Sequence, residues 1–344
     1  MREYDYSKRA VLRMLCEDAR ASITDIAKYA RCSRSIASRY IKELEDEFGL
    51  RYTIDFKKDA IGLAYRYILW IKFATPPPEE KLLEVLKEDY KVQFAATTAG
   101  DFDLLVEVES SEGSSYILWE TALAYKLAEY RPSIHPSQIV MTHIGFIPIS
   151  NDLLSTIDLS NQGISERDKK IILALNENSR SSYREIAKKT GINEDTVRYR
   201  MSKIMSSGII QRLSAIVTKP PTEYNMAFFV TYRFAPGTEK RAAHARKYYM
   251  EIDGKMPLIN TFQILAPTSG SERFFVISCF DSKEEAMEKG IKMHKVIFKG
   301  DEPKIVHAKI GSVLKGFLPI RNIDVRKLYN VIKWEPDYQG FPTA

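Results

Sequence analysis

Apolar positions in residues 7–58 recur at helical spacing: Val11, Leu12 and Leu15, then Ile23, Ile26 and Ala27, then Ile36, Ala37, Tyr40, Ile41 and Leu44. Three helices are predicted, with Ile36, Ala37, Tyr40 and Ile41 as the buried set of the third. Ser22 or Thr24 suits the cap of the second helix and Ser33 that of the third, and the turn between them is Ala30-Arg31-Cys32. The same design returns with Ile171, Ile172 and Leu175, then Tyr183, Ile186 and Ala187, a turn at Thr190-Gly191-Ile192, a cap at Asn193, and Val197, Met201 and Ile204. Gly191 suits the left-handed turn position that Arg31 fills in the first set. A glycine and a β-rich stretch follow each third helix, at 50–56 and 209–217, and each stretch predicts a two-stranded wing.

Downstream of each wing the pattern reads strand, helix, strand, strand, helix, strand. The segments are 67–73, 79–89, 92–98, 103–109, 114–129 and 137–146, and again 227–234, 238–252, 258–265, 273–280, 283–298 and 304–315. That order is the ferredoxin-like α+β pattern, whose sheet keeps one face bare of helices, so an apolar open face is expected to pair with another sheet.

Self-similarity ties the halves together. Arg20 falls on Arg180, Ile26-Ala27-Lys28 on Ile186-Ala187-Lys188, and Leu44 on Ile204, all 160 positions later. Gly145-Phe146-Ile147-Pro148-Ile149 recurs as Gly316-Phe317-Leu318-Pro319-Ile320. Between them, 151–164 is polar with little periodicity and reads as a linker. The expected architecture is α+β: winged helix-turn-helix domains at 1–58 and 165–219 alternate with ferredoxin-like domains at 59–150 and 220–323, and 324–344 forms a tail. The aromatic residues of the tail, Tyr329, Trp334, Tyr338 and Phe341, are expected to dock on the molecule's own sheet.

Composition narrows the function class. Of 344 residues, 44% are hydrophobic and 28% charged, as in a folded soluble protein. No apolar run is long enough to span a bilayer and Met1 opens no signal-peptide pattern, so a cytoplasmic protein with no membrane partner is expected. Cys16, Cys32 and Cys279 are scattered without metal spacing. Charge is segregated: residues 1–58 carry 13 Lys/Arg against 10 Asp/Glu, 59–150 carry 7 against 13, and 165–219 carry 12 against 6. A basic segment beside an acidic one points to a polyanion partner.

With helix-turn-helix, wing and βαββαβ in that order, each half resembles the leucine-responsive regulatory protein and asparagine regulator (Lrp/AsnC, feast-famine) family, here in a tandem duplicated form. The residues that carry the likeness are Arg20-x5-Ile26-Ala27-Lys28, Arg180-x5-Ile186-Ala187-Lys188, Gly208-Ile209-Ile210 and Gly100-Asp101-Phe102-Asp103. The resemblance implies a RAM-type ligand-binding fold, sheet-face dimerisation, and a small effector, such as an amino acid, bound near that interface by the turn. It also implies that one chain forms an internal pseudo-dimer, with further homodimerisation open.

In a helix-turn-helix the third helix enters the major groove. Its outward residues here are Arg34, Ser35, Ser38, Arg39 and Lys42 in the first half, and Thr196, Arg198, Tyr199, Arg200 and Lys203 in the second. Arginine suits guanine, serine either base edges or phosphate, and lysine phosphate. Glu194 and Asp195 open the second helix, so the halves are expected to read different sequences. Double-stranded DNA is the expected partner. The candidate effector turn is Thr97, Thr98, Gly100, Asp101, Phe102 and Asp103. The matching stretch 266–273 lacks the aromatic and the aspartate, which points to one working sensor and one degenerate copy.

A catalytic alternative follows from the fold, since relatives of it decarboxylate tetrapyrroles. The five histidines show no ligand spacing, and no phosphate loop, dinucleotide fingerprint or nucleophile elbow occurs, so no cofactor and no enzyme activity are expected. A third reading is an architectural DNA-binding protein of little sequence preference.

Overall fold

The computed structural model describes residues 6–138, 148–219, 224–231, 264–267, 272–280, 282–285, 287–288 and 304–316. The chain opens with α1 (Tyr6–Glu17), α2 (Ile23–Ala30), α3 (Arg34–Phe48) and β1 (Leu50–Phe56). There follow β2 (Tyr65–Phe73), α4 (Glu79–Leu86), β3 (Val92–Gly100), β4 (Leu104–Ser110), α5 (Gly113–Lys126) and β5 (Pro132–Gln138). A second three-helix set comprises α7 (Glu166–Glu177), α8 (Tyr183–Thr190) and α9 (Glu194–Ser206), preceded by α6 (Asn151–Thr156) and followed by β6 (Ile210–Val217). The last described strands are β7 (Tyr224–Thr231), β8 (Ile264–Pro267), β9 (Glu272–Phe280) and β10 (Lys304–Lys315). Among the described residues no helix is long and apolar enough to cross a membrane.

The predicted caps form. Ser22 and Ser33 each accept a backbone N–H three residues on, and Asn193 accepts from Asp195. Arg31 takes the left-handed conformation at φ 53°, as Gly191 does at φ 70°.

The wing departs from expectation. Each half supplies one strand, and β1 pairs antiparallel with β6 over Leu50↔Val217 to Phe56↔Ile210, so the two-stranded ribbon is shared between the halves. The cause is local: after β1 the chain turns at once into a 3-10 helix, Lys58–Ile61, leaving no second strand to satisfy the N–H and C=O groups of β1. Side chains reinforce the exchange. Arg20 donates to the carbonyls of Ser179 (2.7 Å) and Ser181 (2.5 Å), while Arg180 lies over the Tyr52 ring at 5.0 Å. The two arginines of the repeat each hold the opposite half.

The expected linker is also structured. Ser150 caps α6, and Leu153, Leu154, Leu159 and Ile164 are buried in the core that the helices of both sets share. Burial of apolar side chains, which the polar composition of 151–164 obscured, fixes this segment.

An eight-stranded sheet runs β5-β2-β4-β3-β10-β7-β9-β8. Its two four-stranded parts join edge to edge, through Ala308↔Gly100, Lys309↔Ala99 and Ile310↔Thr98, rather than by the expected pairing of open faces. On one face, α4 and α5 cover Leu69, Ile71, Val106 and Val108. On the other, Ile68, Trp70, Phe94 and Leu105 belong to the same core as the three-helix sets, so helices occupy the face expected to meet a sheet. β5 starts at Pro132, ahead of the expected 137; its continuation to 146 and the helices expected at 238–252 and 283–298, apart from short described pieces of the latter, lie outside the described residues, as does the tail.

A charged cluster sits inside this face. Glu107 and Glu109 alternate with Val106 and Val108, so period two turns both inward, where they are fully buried. Lys58 is bonded to Glu109 and lies 3.8 Å from Glu107, and Arg66 approaches Glu109 at 4.0 Å. Burial pushes the Glu107 carboxyl up to about 7 and the Lys58 ammonium down to about 8, since desolvation penalises each charge. Lys58→Met leaves two buried carboxylates with one counter-ion and is expected to cost about 3–5 kcal/mol in urea denaturation. Lys58→Met with Glu109→Leu restores charge balance and is expected to recover most of that loss.

Candidate nucleic-acid interface

The second and third helices of each set present the side chains available to a duplex. On α3, burial of Ala37, Tyr40, Ile41 and Leu44 turns Arg34, Ser35, Ser38, Arg39 and Lys42 outward, and all five are exposed. Ile36, expected among the buried set, is instead exposed, because it falls in the first turn beside the solvent face. On α9, Val197, Met201 and Ile204 are buried, leaving Arg198, Tyr199 and Lys203 exposed and Thr196 half-buried. Tyr199 is 71% exposed.

Arg200 is placed differently. It is half-buried, and its Nη1 lies 3.3 Å from Oδ2 of Asp168, which is fully buried in the first turn of α7. The same Oδ2 accepts from the backbone and hydroxyl of Ser165. Arg200 thus ties α9 to α7, and the outward position expected for it belongs to its neighbours.

The two central arginines each have a carboxylate one turn away: Arg39 with Glu43 at 3.4 Å and Arg198 with Glu194 at 3.5 Å. Both arginine side chains are 63% exposed. Exposed helical pairs contribute only about 0.3–0.5 kcal/mol, so phosphate or a base edge can displace either partner. The flanking helices add exposed cations that the sequence reading did not single out: Lys28 on α2, and Arg184 and Lys188 on α8. Helical period alone marks them, since they lie opposite Ile26 and Ile186.

The turn proposed for an effector lies at the seam of the long sheet, where Gly100 faces Ala308. Its polar groups are largely engaged. Thr97 Oγ1 accepts from the Ser312 amide at 2.8 Å, and Thr98 donates its hydroxyl to the Phe102 carbonyl at 2.9 Å. Asp103 accepts from Lys72 at 2.7 Å and from the Phe73 amide at 2.9 Å. The Phe102 ring packs between Trp70 and His135. Asp101 is exposed at the tip. The six residues come together, and Thr97, Thr98, Phe102 and Asp103 are seen holding the turn. The corresponding stretch 266–273 is only partly within the described residues. Of the histidines, His135 is exposed and hydrogen-bonded to Ser133, and among the described residues no group of three or more His, Cys, Asp and Glu could hold a metal.

A winged helix-turn-helix DNA-binding family model matches residues 164–211. The HTH-type transcriptional regulator FL11 of Pyrococcus horikoshii is 34% identical over 89 residues, which is 26% of this chain and 59% of the relative. An uncharacterised HTH-type transcriptional regulator of Pyrococcus furiosus is 27% identical over 125 residues, 36% of this chain and 78% of its own. The chain therefore spans about three-fifths of the length of the first of these relatives. Among solved structures, the siroheme decarboxylase NirDL shares the fold, with a TM-score of 0.53 and 12% identity over 95% of this chain and 98% of that one. The chain thus carries a winged helix-turn-helix of DNA-binding type and is related to HTH-type transcriptional regulators.

Arg200→Ala strips buried Asp168 of its cation and is expected to cost about 1–3 kcal/mol of stability. Arg198→Ala, on the exposed face, is expected to stay within about 0.5 kcal/mol. Paired thermal unfolding measurements distinguish the two roles.

Proposed function

We propose that this chain is a sequence-specific DNA-binding transcription regulator of Lrp/AsnC type that reads DNA with two unlike helices, α3 and α9. The observation that carries the reading is the pair of exposed basic faces, Arg34-Arg39-Lys42 and Arg198-Lys203, on helix-turn-helix units locked together by the β1/β6 ribbon. Such a chain is an internal pseudo-dimer built by tandem duplication, with domains bounded as the sequence predicts. Its two faces differ in charge at their starts, with Ser33-Arg34 on one and Asn193-Glu194-Asp195 on the other, so the site it reads is asymmetric. An amino-acid-like effector at the 97–103 turn acts through the adjoining seam with β10, where Gly100 faces Ala308. A cytoplasmic location accords with this role.

A second reading has one observation in its favour: the fold similarity to a siroheme decarboxylase extends along nearly the whole chain. Retention of solvent-facing Arg39 and Arg198 favours DNA, because a decarboxylase gains nothing from two cationic helix faces. Adding iron uroporphyrin to the purified chain separates the readings; a new absorbance band without any DNA shift supports the enzyme.

Arg39→Ala and Arg198→Ala are each expected to weaken duplex binding by about 1–3 kcal/mol if they contact bases, or to lower the salt slope by about one if they contact phosphate. The two substitutions should relax selectivity at different ends of the bound site, read by fluorescence anisotropy with a randomised-duplex selection. Wild-type affinity in both variants would remove the basis of the proposal.

A further inference from the structure

Helix α5 carries an apolar stripe that is exposed among the described residues. Tyr116, Trp119 and Leu123 face the sheet, while Ile117, Leu118 and Tyr125 are 63%, 72% and 83% exposed. Thr121 and Ala122 lie between them, also exposed, and no charged residue interrupts this face over the ~12 Å that eight residues of helix span. Surface apolar residues scattered singly need no cause, but a contiguous group of four, Ile117, Leu118, Ala122 and Tyr125, does.

We propose that this face of α5 docks against the same face of a second copy of the chain, the two helices crossing antiparallel about Thr121 and Ala122. The order of sizes is self-complementary, as a two-fold contact demands. Small residues at the centre let the helices approach, and Tyr125 of each copy then covers Ile117 and Leu118 of the other. Charges agree with that direction: Glu112 at the start of α5 meets Lys126 and Arg131 near the end of the partner helix. The available area sets the strength. Tyr125 offers on the order of 150–200 Å² and the whole stripe a few times that, which falls at the low end of specific interfaces, so the association is weak and concentration-dependent. It is independent of the DNA-binding reading, though two chains on one duplex would gain affinity through effective concentration.

Sedimentation velocity of the full chain without DNA, from about 1 to 200 µM, is expected to show a reversible monomer–dimer shift. Leu118→Glu and Ala122→Glu are expected to weaken it about tenfold or more while leaving thermal unfolding of the monomer unchanged. Thr121→Cys is expected to give a disulfide-linked dimer under mild oxidation that the unaltered chain does not form. A chain that stays monomeric at the highest concentration overturns the proposal, as do glutamate variants that associate like wild type. Glutamate variants that lose monomer stability instead would place a segment of the same chain on the stripe, and also overturn it.

Discussion

The arrangement of this molecule depends on a backbone requirement. A strand of seven residues brings its own N–H and C=O groups into the core, and leaving them unpaired there costs more than any single packing contact returns. β1 has no local hairpin partner and finds one in β6, more than 150 residues away. Once that ladder forms, α1 packs on β6 and α7 on β1, so neither helix-turn-helix has a complete core without the other. Arg20 and Arg180 follow from the exchange, because a guanidinium set at the end of a helix turn reaches the opposite unit's carbonyls and tyrosine ring.

Helical period and caps gave away much of this fold before any coordinates. Three helices, their Ser and Asn caps and the left-handed turn at Arg31 or Gly191 are determined within a few residues, and they appear where periodicity puts them. What could not be read was the choice of partner. Leu50 to Phe56 looks the same whether its ladder partner is the next few residues or a distant strand, and the sheet edge at β3 gives no sign that β10 will add to it. The two glutamates of Leu-Leu-Val-Glu-Val-Glu-Ser turn inward with the period of the strand. Their counter-ions, Lys58 and Arg66, come from elements whose approach no local pattern reveals.

The candidate interface shows the same division. Outward positions on α3 followed from the buried ones, since a helix leaves little freedom once one face is fixed. Arg200 escaped that logic because its destination is set by a buried aspartate on another helix. At the turn 97–103, hydrogen bonding to Ser312, Lys72 and the turn's own carbonyls accounts for most of the polar side-chain atoms.

Charge placement gives the molecule its functional asymmetry. Lys58, Arg66, Glu107 and Glu109 have surrendered their water and are held by one another, so their energetic weight lies in stability and a change to any one is felt through the core. Arg39 and Arg198 keep most of theirs, and each is held by a carboxylate whose attraction is comparable to thermal energy and by a tyrosine ring, Tyr40 and Tyr183 respectively. A cation in the second condition is available to an anion arriving from solution, while one in the first is not. Because the ribbon joins both helix-turn-helix units, the two available faces cannot drift independently, and on the proposed reading a duplex that engaged one would meet the other at a separation the fold has already set. The loss of rotational freedom that two tethered readers would suffer on binding is thereby incurred during folding, leaving more of each contact's energy for the recognition itself.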